Sequence, residues 1–200
     1  MSASKPGSMI VVLTVTSVVV GGLLAGFFHL VQPRIEENRI AEERRAIFAV
    51  LPGSERYDTI EKEIPTVKGK NEAVRIFKGL DKEGGTVGYA FIAQGAGFQG
   101  TIKMMVGLNA GSKKLFGMNV LDQVETPGLG NKISEERFTG QFKNLSIEPR
   151  IEYLKNKNPE KPNEVQAVTG ATISSRAVVN GINNRVKTIL GILASGEREG

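Results

Sequence analysis

The segment from Met9 to Val31 constrains this chain more than any other, because it contains no Asp, Glu, Lys or Arg. A helix of that length extends about 34 Å at 1.5 Å per residue, which is enough to cross the roughly 30 Å apolar core of a bilayer. The segment is longer than the apolar part of a signal peptide, and no small-x-small cleavage site follows it before Pro33. The sequence therefore predicts an uncleaved transmembrane helix at 9–31, after a short tail at 1–8. A buried core helix is the alternative.

The residues after the span predict one connecting helix and one domain. Residues 32–52 carry an apolar stripe, with Pro33 in the expected first turn and Pro52-Gly53 at the end, so they predict a helix. The domain is expected at 53–193, followed by a C-terminal tail at 194–200.

Within the domain, alternating apolar residues predict four strands in an antiparallel meander, at 73–78, 87–94, 100–108 and 115–121. Later segments predict a helix at 134–142 with Ser134 as its N-cap, an exposed loop at 156–163, a strand at 164–168 and a helix at 174–193. Strands followed by helices indicate an α+β domain, with helices covering one face of the sheet.

Composition excludes several kinds of site. The chain has no cysteine, which excludes disulfides, cysteine-ligated iron–sulfur clusters, cysteinyl flavins and c-type haem. Its one histidine, His29, lies near the end of the apolar span and gives little support for a metal site. The net charge is +5, but the basic residues are scattered and no aromatic-rich motif accompanies them, so nucleic-acid binding is not expected.

A hydroxyl-rich turn precedes the last predicted helix, with the sequence Thr169-Gly170-Ala171-Thr172-Ile173-Ser174-Ser175. A helix N-terminus offers unpaired backbone N–H groups and the positive end of the helix dipole, which together attract a phosphate. Gly170 lets the backbone approach a ligand closely, and Thr172 places a hydroxyl beside the anion site. The turn therefore predicts a phosphate that is held there or is esterified to Thr172. An ordinary capped helix is the alternative, because Ser and Thr are common N-cap residues.

A second motif lies about forty residues upstream, with the sequence Glu125-Thr126-Pro127-Gly128-Leu129-Gly130-Asn131-Lys132. Its proline and glycines permit a tight loop that presents backbone N–H groups. Thr126 can donate its hydroxyl to a phosphate or ribityl oxygen, Leu129 can press on an aromatic ring, and Lys132 can pair with a phosphate. An ordinary Pro-Gly turn and a solvated lysine are the alternatives.

Together the two motifs and the N-terminal span resemble the FMN-binding domain shared by the G subunit of Rnf electron-transfer complexes and the C subunit of sodium-pumping NADH:quinone oxidoreductases. The resemblance implies that a flavin transferase attaches FMN to Thr172 through a phosphoester, which makes the chain a covalent flavoprotein and a phosphoprotein. The implied FMN contacts are Thr169, Gly170, Ala171, Ser174, Ser175, Glu125, Thr126, Gly128, Leu129 and Lys132. One departure is Gln166, since the family commonly has an acidic residue three positions before Thr169.

The resemblance also implies a role without catalytic residues of its own. The chain would relay electrons inside a larger ion-translocating oxidoreductase, with other membrane and redox subunits as partners. Its modest length favours an Rnf-type complex, which couples electron flow between ferredoxin and NAD to ion translocation. The runner-up is the equivalent subunit of a sodium-pumping NADH:quinone oxidoreductase. A membrane-tethered module that binds FMN non-covalently is the reading from another class.

The side of the membrane is a further expectation. The resemblance places the large domain on the extracytoplasmic side of the bacterial inner membrane. The positive-inside rule favours the opposite side, because arginines such as Arg34 and Arg39 follow the span, although glutamates alternate with them.

Overall fold

The computed structural model describes residues 6–65 and 71–196 and divides into two units, between Glu42 and Glu43. Helix α1, Pro6–Val50, begins in the first unit and ends in the second. The sequence predicts that Pro33 lies in the first turn of a separate connecting helix. Pro33 instead lies inside α1, which continues through this position without a break. A proline inside a helix removes one backbone hydrogen bond, and the long helical runs on both sides of Pro33 evidently outweigh that loss.

The apolar segment of α1 meets the length and composition needed to cross a membrane. None of its most apolar window is buried, and all of its large apolar side chains from Met9 to Leu30 are exposed. Exposed apolar side chains of this kind suit lipid, whereas a core helix would bury them. The exposure therefore supports the predicted membrane span over the buried core helix.

The second unit is built on a five-stranded antiparallel sheet in which the strands follow chain order. The strands are β1 Arg56–Pro65, β2 Asn71–Leu80, β3 Thr86–Ala96, β4 Thr101–Asn109 and β5 Leu115–Asp122. The four predicted strands are therefore confirmed as β2 to β5; β2, β3 and β5 are longer than expected, and β4 has the expected length but begins one residue later. Strand β1 was not predicted, because charged residues such as Glu61, Lys62 and Glu63 hide its alternation, as is common at a sheet edge.

Helices cover both faces of this sheet. On one face, α3, Thr172–Gly196, buries Val178, Ile182 and Ile189 in a cluster with side chains of β4 such as Met104. On the other face, the end of α1 and the residue that follows it bury Ile47 and Leu51 in a cluster that includes Met105. The expectation that helices cover only one face is therefore wrong, because neighbouring residues of β4 point to opposite faces and both sets are apolar.

Short elements connect β5 to α3. They are a 3-10 turn at Gly130–Ser134, helix α2 at Glu136–Thr139, a 3-10 turn at Gly140–Phe142, and the parallel strands β6 Glu152–Leu154 and β7 Glu164–Gln166. The single helix predicted at 134–142 is therefore broken, and Ser134 ends a 3-10 turn instead of capping a helix. The break lets Phe138 and Phe142 both bury their rings, with centroids 5.4 Å apart.

Candidate functional site

The two sequence motifs meet at one cleft of about 560 Å³ in the second unit. The loop after β5 contributes Glu125, Thr126, Leu129 and Gly130, and the turn before α3 contributes every residue from Thr169 to Ser174. Phe98 from the β3–β4 turn and Lys155 and Asn156 after β6 complete the lining. Its volume falls within the roughly 300–1,000 Å³ typical of sites for small molecules and cofactors. We refer to this site as the motif cleft.

Helix α3 begins at Thr172, two residues before its predicted start. Within the described residues, the backbone N–H groups of Thr172, Ile173 and Ser174 have no hydrogen-bond acceptor, whereas Ser175 donates its backbone N–H to the carbonyl of Ala171 at 3.0 Å. Three unpaired donors and the positive end of the helix dipole therefore lie at the cleft, in the arrangement that stabilises an anion.

The turn into α3 depends on Gly170, whose φ is +82°. A Cβ atom built on this glycine would lie 3.2 Å from Leu129 Cδ2. The left-handed conformation and the narrow gap both favour glycine, and together they bring the turn against the loop after β5. Ala171 closes the turn by donating its N–H to the carbonyl of Val168 at 2.9 Å.

Glu125 and Ser174 form a buried contact between the two motifs. Both side chains are buried, and the Ser174 hydroxyl donates to Glu125 Oε2. The other carboxylate oxygen, Oε1, accepts the backbone N–H of Gln99 at 2.9 Å. Burial raises the pKa of Glu125, but the hydrogen bonds from Ser174 and from backbone N–H groups at 98–100 outweigh it, so the pKa lies below its ordinary value. The carboxylate is therefore ionised at neutral pH.

The polar and apolar parts of the cleft have different partners. Thr126 Oγ1 accepts a hydrogen bond from Gln99 Nε2 at 2.9 Å, so its own hydroxyl proton remains available to a ligand. Among the described residues of the second unit, the large apolar side chains that are exposed are Phe98, Val124, Leu129 and Ile173. Three of these four line the cleft, which makes it suitable for a flat aromatic ligand.

Three of the predicted contact residues lie elsewhere. Gly128 is exposed in the loop with φ +75°, and Lys132 lines a second cleft of about 450 Å³, which shares Thr169 with the motif cleft. Ser175 is fully buried, where its hydroxyl donates to the carbonyl of Ala171 at 2.9 Å and accepts the N–H of Val168 at 3.0 Å. Its hydroxyl therefore stabilises the turn through these two backbone hydrogen bonds and is not available to a ligand.

Gln166, where the resemblance implies an acidic residue, lies in β7 and lines the second cleft. Its backbone N–H donates to Gln141 Oε1 at 2.7 Å, and its carbonyl accepts from Gln141 Nε2 at 3.2 Å. Its own side chain donates to Asn158 Oδ1 at 3.3 Å. Residue 166 is therefore adjacent to the turn but does not line the motif cleft.

Sequence reasoning missed four residues that line the motif cleft, namely Phe98, Lys155, Asn156 and Ile173. Phe98 had a recognisable signal, because an aromatic residue stands between glycines in the segment that joins two predicted strands. Lys155 had none. Within the part of the chain that the structure describes, its ammonium group has no ion pair or hydrogen bond, so it is a cation available to a ligand in the cleft.

Comparison with known proteins finds a family model and relatives that match this sequence. Residues 97–187 match the family model of the FMN-binding domain, and this range includes both motifs. The chain is 32% identical over 187 residues to the G subunit of the ion-translocating oxidoreductase complex of Methanosarcina acetivorans, an alignment that covers 93% of this chain and 96% of the relative. It is 26% identical over 177 residues to the G subunit of the proton-translocating ferredoxin:NAD(+) oxidoreductase complex of Clostridium ljungdahlii, with 88% of each chain covered.

The fold is also similar to a solved structure, that of the C subunit of the Na(+)-translocating NADH-quinone reductase from Parabacteroides distasonis. The TM-score is 0.56 at 17% identity, and the match covers 75% of this chain and 90% of that one. At this identity the likeness concerns the fold.

Proposed function

The chain belongs to the family of ion-translocating oxidoreductase complex G subunits, and from this premise we propose that it carries FMN on Thr172 as a membrane-anchored electron-transfer subunit of an Rnf-type complex. The main support is that two motifs far apart in sequence line one cleft, with Thr172 at the first position of α3. Bound FMN supplies reversible electron uptake and release, and the chain supplies the tether and the environment. The electron flow is proposed to run between ferredoxin and NAD and to be coupled to ion translocation.

The residues of the motif cleft fit FMN in three respects. The N–H groups of Thr172, Ile173 and Ser174 suit the negative charge of a phosphate. Thr126 can donate its hydroxyl to a sugar-chain oxygen, since its acceptor side is already occupied by Gln99. The apolar side chains at the cleft offer a surface to the ring system, and they are Phe98, Leu129 and Ile173. We therefore propose that the phosphate lies at α3 and that these apolar side chains contact the ring.

Attachment to Thr172 requires an activated flavin phosphate. Direct condensation of free FMN with a hydroxyl releases a water molecule, and the high concentration of water in solution opposes that reaction. In the proposed step, Thr172 Oγ1 forms a bond to the phosphorus of a flavin dinucleotide and loses its proton. The phosphoanhydride bond breaks, and the nucleoside monophosphate leaves. A flavin transferase is the expected catalyst, since the described cleft offers Thr172 no histidine as a general base.

The neighbouring hydroxyl groups support Thr172 as the acceptor. Ser174 donates to Glu125, and Ser175 is fully buried with two partners of its own. Thr169 is exposed, so it is the main competitor to Thr172 and the natural control.

The test is the mass of the chain purified from its native membrane, together with flavin fluorescence after denaturing electrophoresis. Wild type and Thr169→Ala should keep the mass of FMN and a fluorescent band. Thr172→Ala should lose both while keeping its fold, and Thr172→Ser should retain part of the adduct because a hydroxyl remains. An adduct that maps to another residue would refute the assignment. Fluorescence that is present before denaturation but absent after it would favour a module that binds FMN non-covalently.

The equivalent subunit of a sodium-pumping NADH:quinone oxidoreductase is the second candidate. Its support is the shared fold at 17% identity, whereas relatives that match across most of the chain are named as G subunits. Purification of the intact complex distinguishes the two, because an Rnf-type complex should reduce NAD with ferredoxin, and the alternative should reduce quinone with NADH.

We also infer that the second unit lies on the extracytoplasmic side, although the arginines after the span favour the opposite orientation. Protease added to intact spheroplasts should then digest the domain. Protection in spheroplasts with digestion in inverted vesicles would place the domain in the cytoplasm.

A further inference from the structure

We propose that Glu125 is a positioning residue: its carboxylate holds the first turn of α3 against the β3–β4 turn and so sets the position of Thr172. The effect on flavin attachment rests on the proposed function, whereas the positioning of α3 does not. The proposal differs from the contact with FMN that the sequence motif predicts for Glu125.

The carboxylate of Glu125 joins three segments that are distant in sequence. Its Oε2 accepts the hydroxyl of Ser174 in the first turn of α3, and its Oε1 accepts the N–H of Gln99 in the β3–β4 turn. Glu125 itself belongs to the loop after β5. All three segments contribute lining residues to the motif cleft, so a single side chain links its walls.

The surroundings leave room for this carboxylate and little else. A Cβ atom on Gly97 would lie 2.5 Å from Glu125 Oε1, and one on Gly130 would lie 2.9 Å from Oε2 and 3.1 Å from Ser174 Oγ. Any larger residue at these two positions would displace the carboxylate or its partner. The close fit shows that the packing of the segments is built around the side chain.

The same contacts make Glu125 a poor ligand for FMN. Its side chain is buried, with 5% of the residue exposed, and both oxygens already accept hydrogen bonds. It is also ionised, so it would repel the phosphate that the N–H groups of Thr172 and Ile173 attract. The carboxylate therefore acts on Thr172 through Ser174. Ser174 lies two residues after Thr172 in the same helical turn.

A matched set of variants tests this role in the full chain. Glu125→Ala removes the link, Ser174→Ala removes one partner, and Glu125→Gln keeps an oxygen for Gln99 and an amide for Ser174. Glu164→Ala is the control, because Glu164 is also a buried carboxylate that accepts backbone N–H groups, from Glu160 and Lys161, and it lines neither cleft.

The first measurement is hydrogen exchange of the amides at 175–178 in protein made without flavin transferase, because the unpaired amides at 172–174 exchange fast in every variant. Glu125→Ala and Ser174→Ala should each speed exchange there about tenfold or more, because a local opening loses its restraint. Glu125→Gln should remain closer to wild type, and Glu164→Ala should leave these amides unchanged. Exchange in Glu125→Ala that matches the Glu164→Ala control would overturn the proposal.

The second measurement is the rate of FMN attachment by the transferase. Displacement of Thr172 should slow attachment about tenfold or more in Glu125→Ala, because small misplacements of a reacting group carry large rate costs. The double variant Glu125→Ala/Ser174→Ala should be little slower than either single one, because both remove the same link. Additive effects would overturn the route through Ser174. Wild-type protein that accepts no FMN would refute the proposed function, and hydrogen exchange would still decide the positioning role.

Discussion

Replacing Gly170 with alanine tests whether the turn into α3 forms the motif cleft as the structure indicates. The glycine has φ +82°, a conformation that costs an L-residue about 1–2 kcal/mol. Reduced freedom of the unfolded chain offsets about 0.4–1 kcal/mol of this, so the expected loss in free energy of unfolding is about 1 kcal/mol. The new Cβ would also lie 3.2 Å from Leu129 Cδ2, which must move to accept it.

The matched control is Gly84→Ala in the β2–β3 turn. Gly84 has nearly the same φ, +86°, and a Cβ there would make an ordinary contact of 3.5 Å with Arg56 Nη2. The two variants therefore impose similar backbone strain, but only Gly170→Ala pushes on a residue that lines the motif cleft.

The assay combines thermal unfolding of protein without FMN and the yield of covalent flavin. Both variants should lower Tm by roughly 2–4 °C, the shift expected for about 1 kcal/mol in a domain of this size. Only Gly170→Ala should reduce flavin attachment, because Leu129 and the N–H groups of the turn are displaced. Equal flavin loss in both variants would show that attachment follows stability. An unchanged Tm for Gly170→Ala would show that the turn relaxes without strain.

Three further predictions concern stability and charge. Burial raises the pKa of Glu125, but its hydrogen bonds lower the pKa by more, so the folded-state pKa lies below the ordinary 4.5. The contribution of this carboxylate to stability should therefore be complete above pH 4.5 and lost as pH falls through the folded-state pKa. Denaturation of wild type and Glu125→Gln across pH checks this, and parallel stability curves would contradict it. Ile182→Ala should lower the free energy of unfolding by about 2–5 kcal/mol in denaturant titrations, because Ile182 is fully buried between α3 and the sheet, and a smaller loss would show that the cavity collapses. Lys155→Gln should lower the reduction potential of attached FMN in redox titrations, because it removes a cation that favours electron uptake. Lys157→Gln is the control and should leave the potential unchanged, because Lys157 does not line the cleft. Equal potentials in wild type and both variants would exclude an influence of Lys155.

Several features of this chain follow from the sequence alone. The apolar span at 9–31, the strands β2 to β5 and the final helix are readable because each depends on a periodicity within one segment. The turn at Gly170 is also readable from one segment, since a glycine between hydroxyl residues before a helix specifies a local backbone conformation. The two motifs also identified most of the residues that line the cleft.

Other features were decided by contacts between distant segments. Strand β1 exists through its pairing with β2 along ten residues, although its charged sequence carries little strand signal. Lys155 lines the cleft because β6 pairs with β7 and so directs the following residues towards the turn.

The roles of Glu125 and Ser174 show the difference most clearly. The sequence predicts that both contact a cofactor, whereas the fold brings them together across 49 residues and pairs them with each other. A local pattern specifies which groups a segment offers, because it depends on neighbours along the chain. Which group receives a partner depends on how the sheet, the loop after β5 and α3 pack, and that packing is settled only by the burial of the whole core.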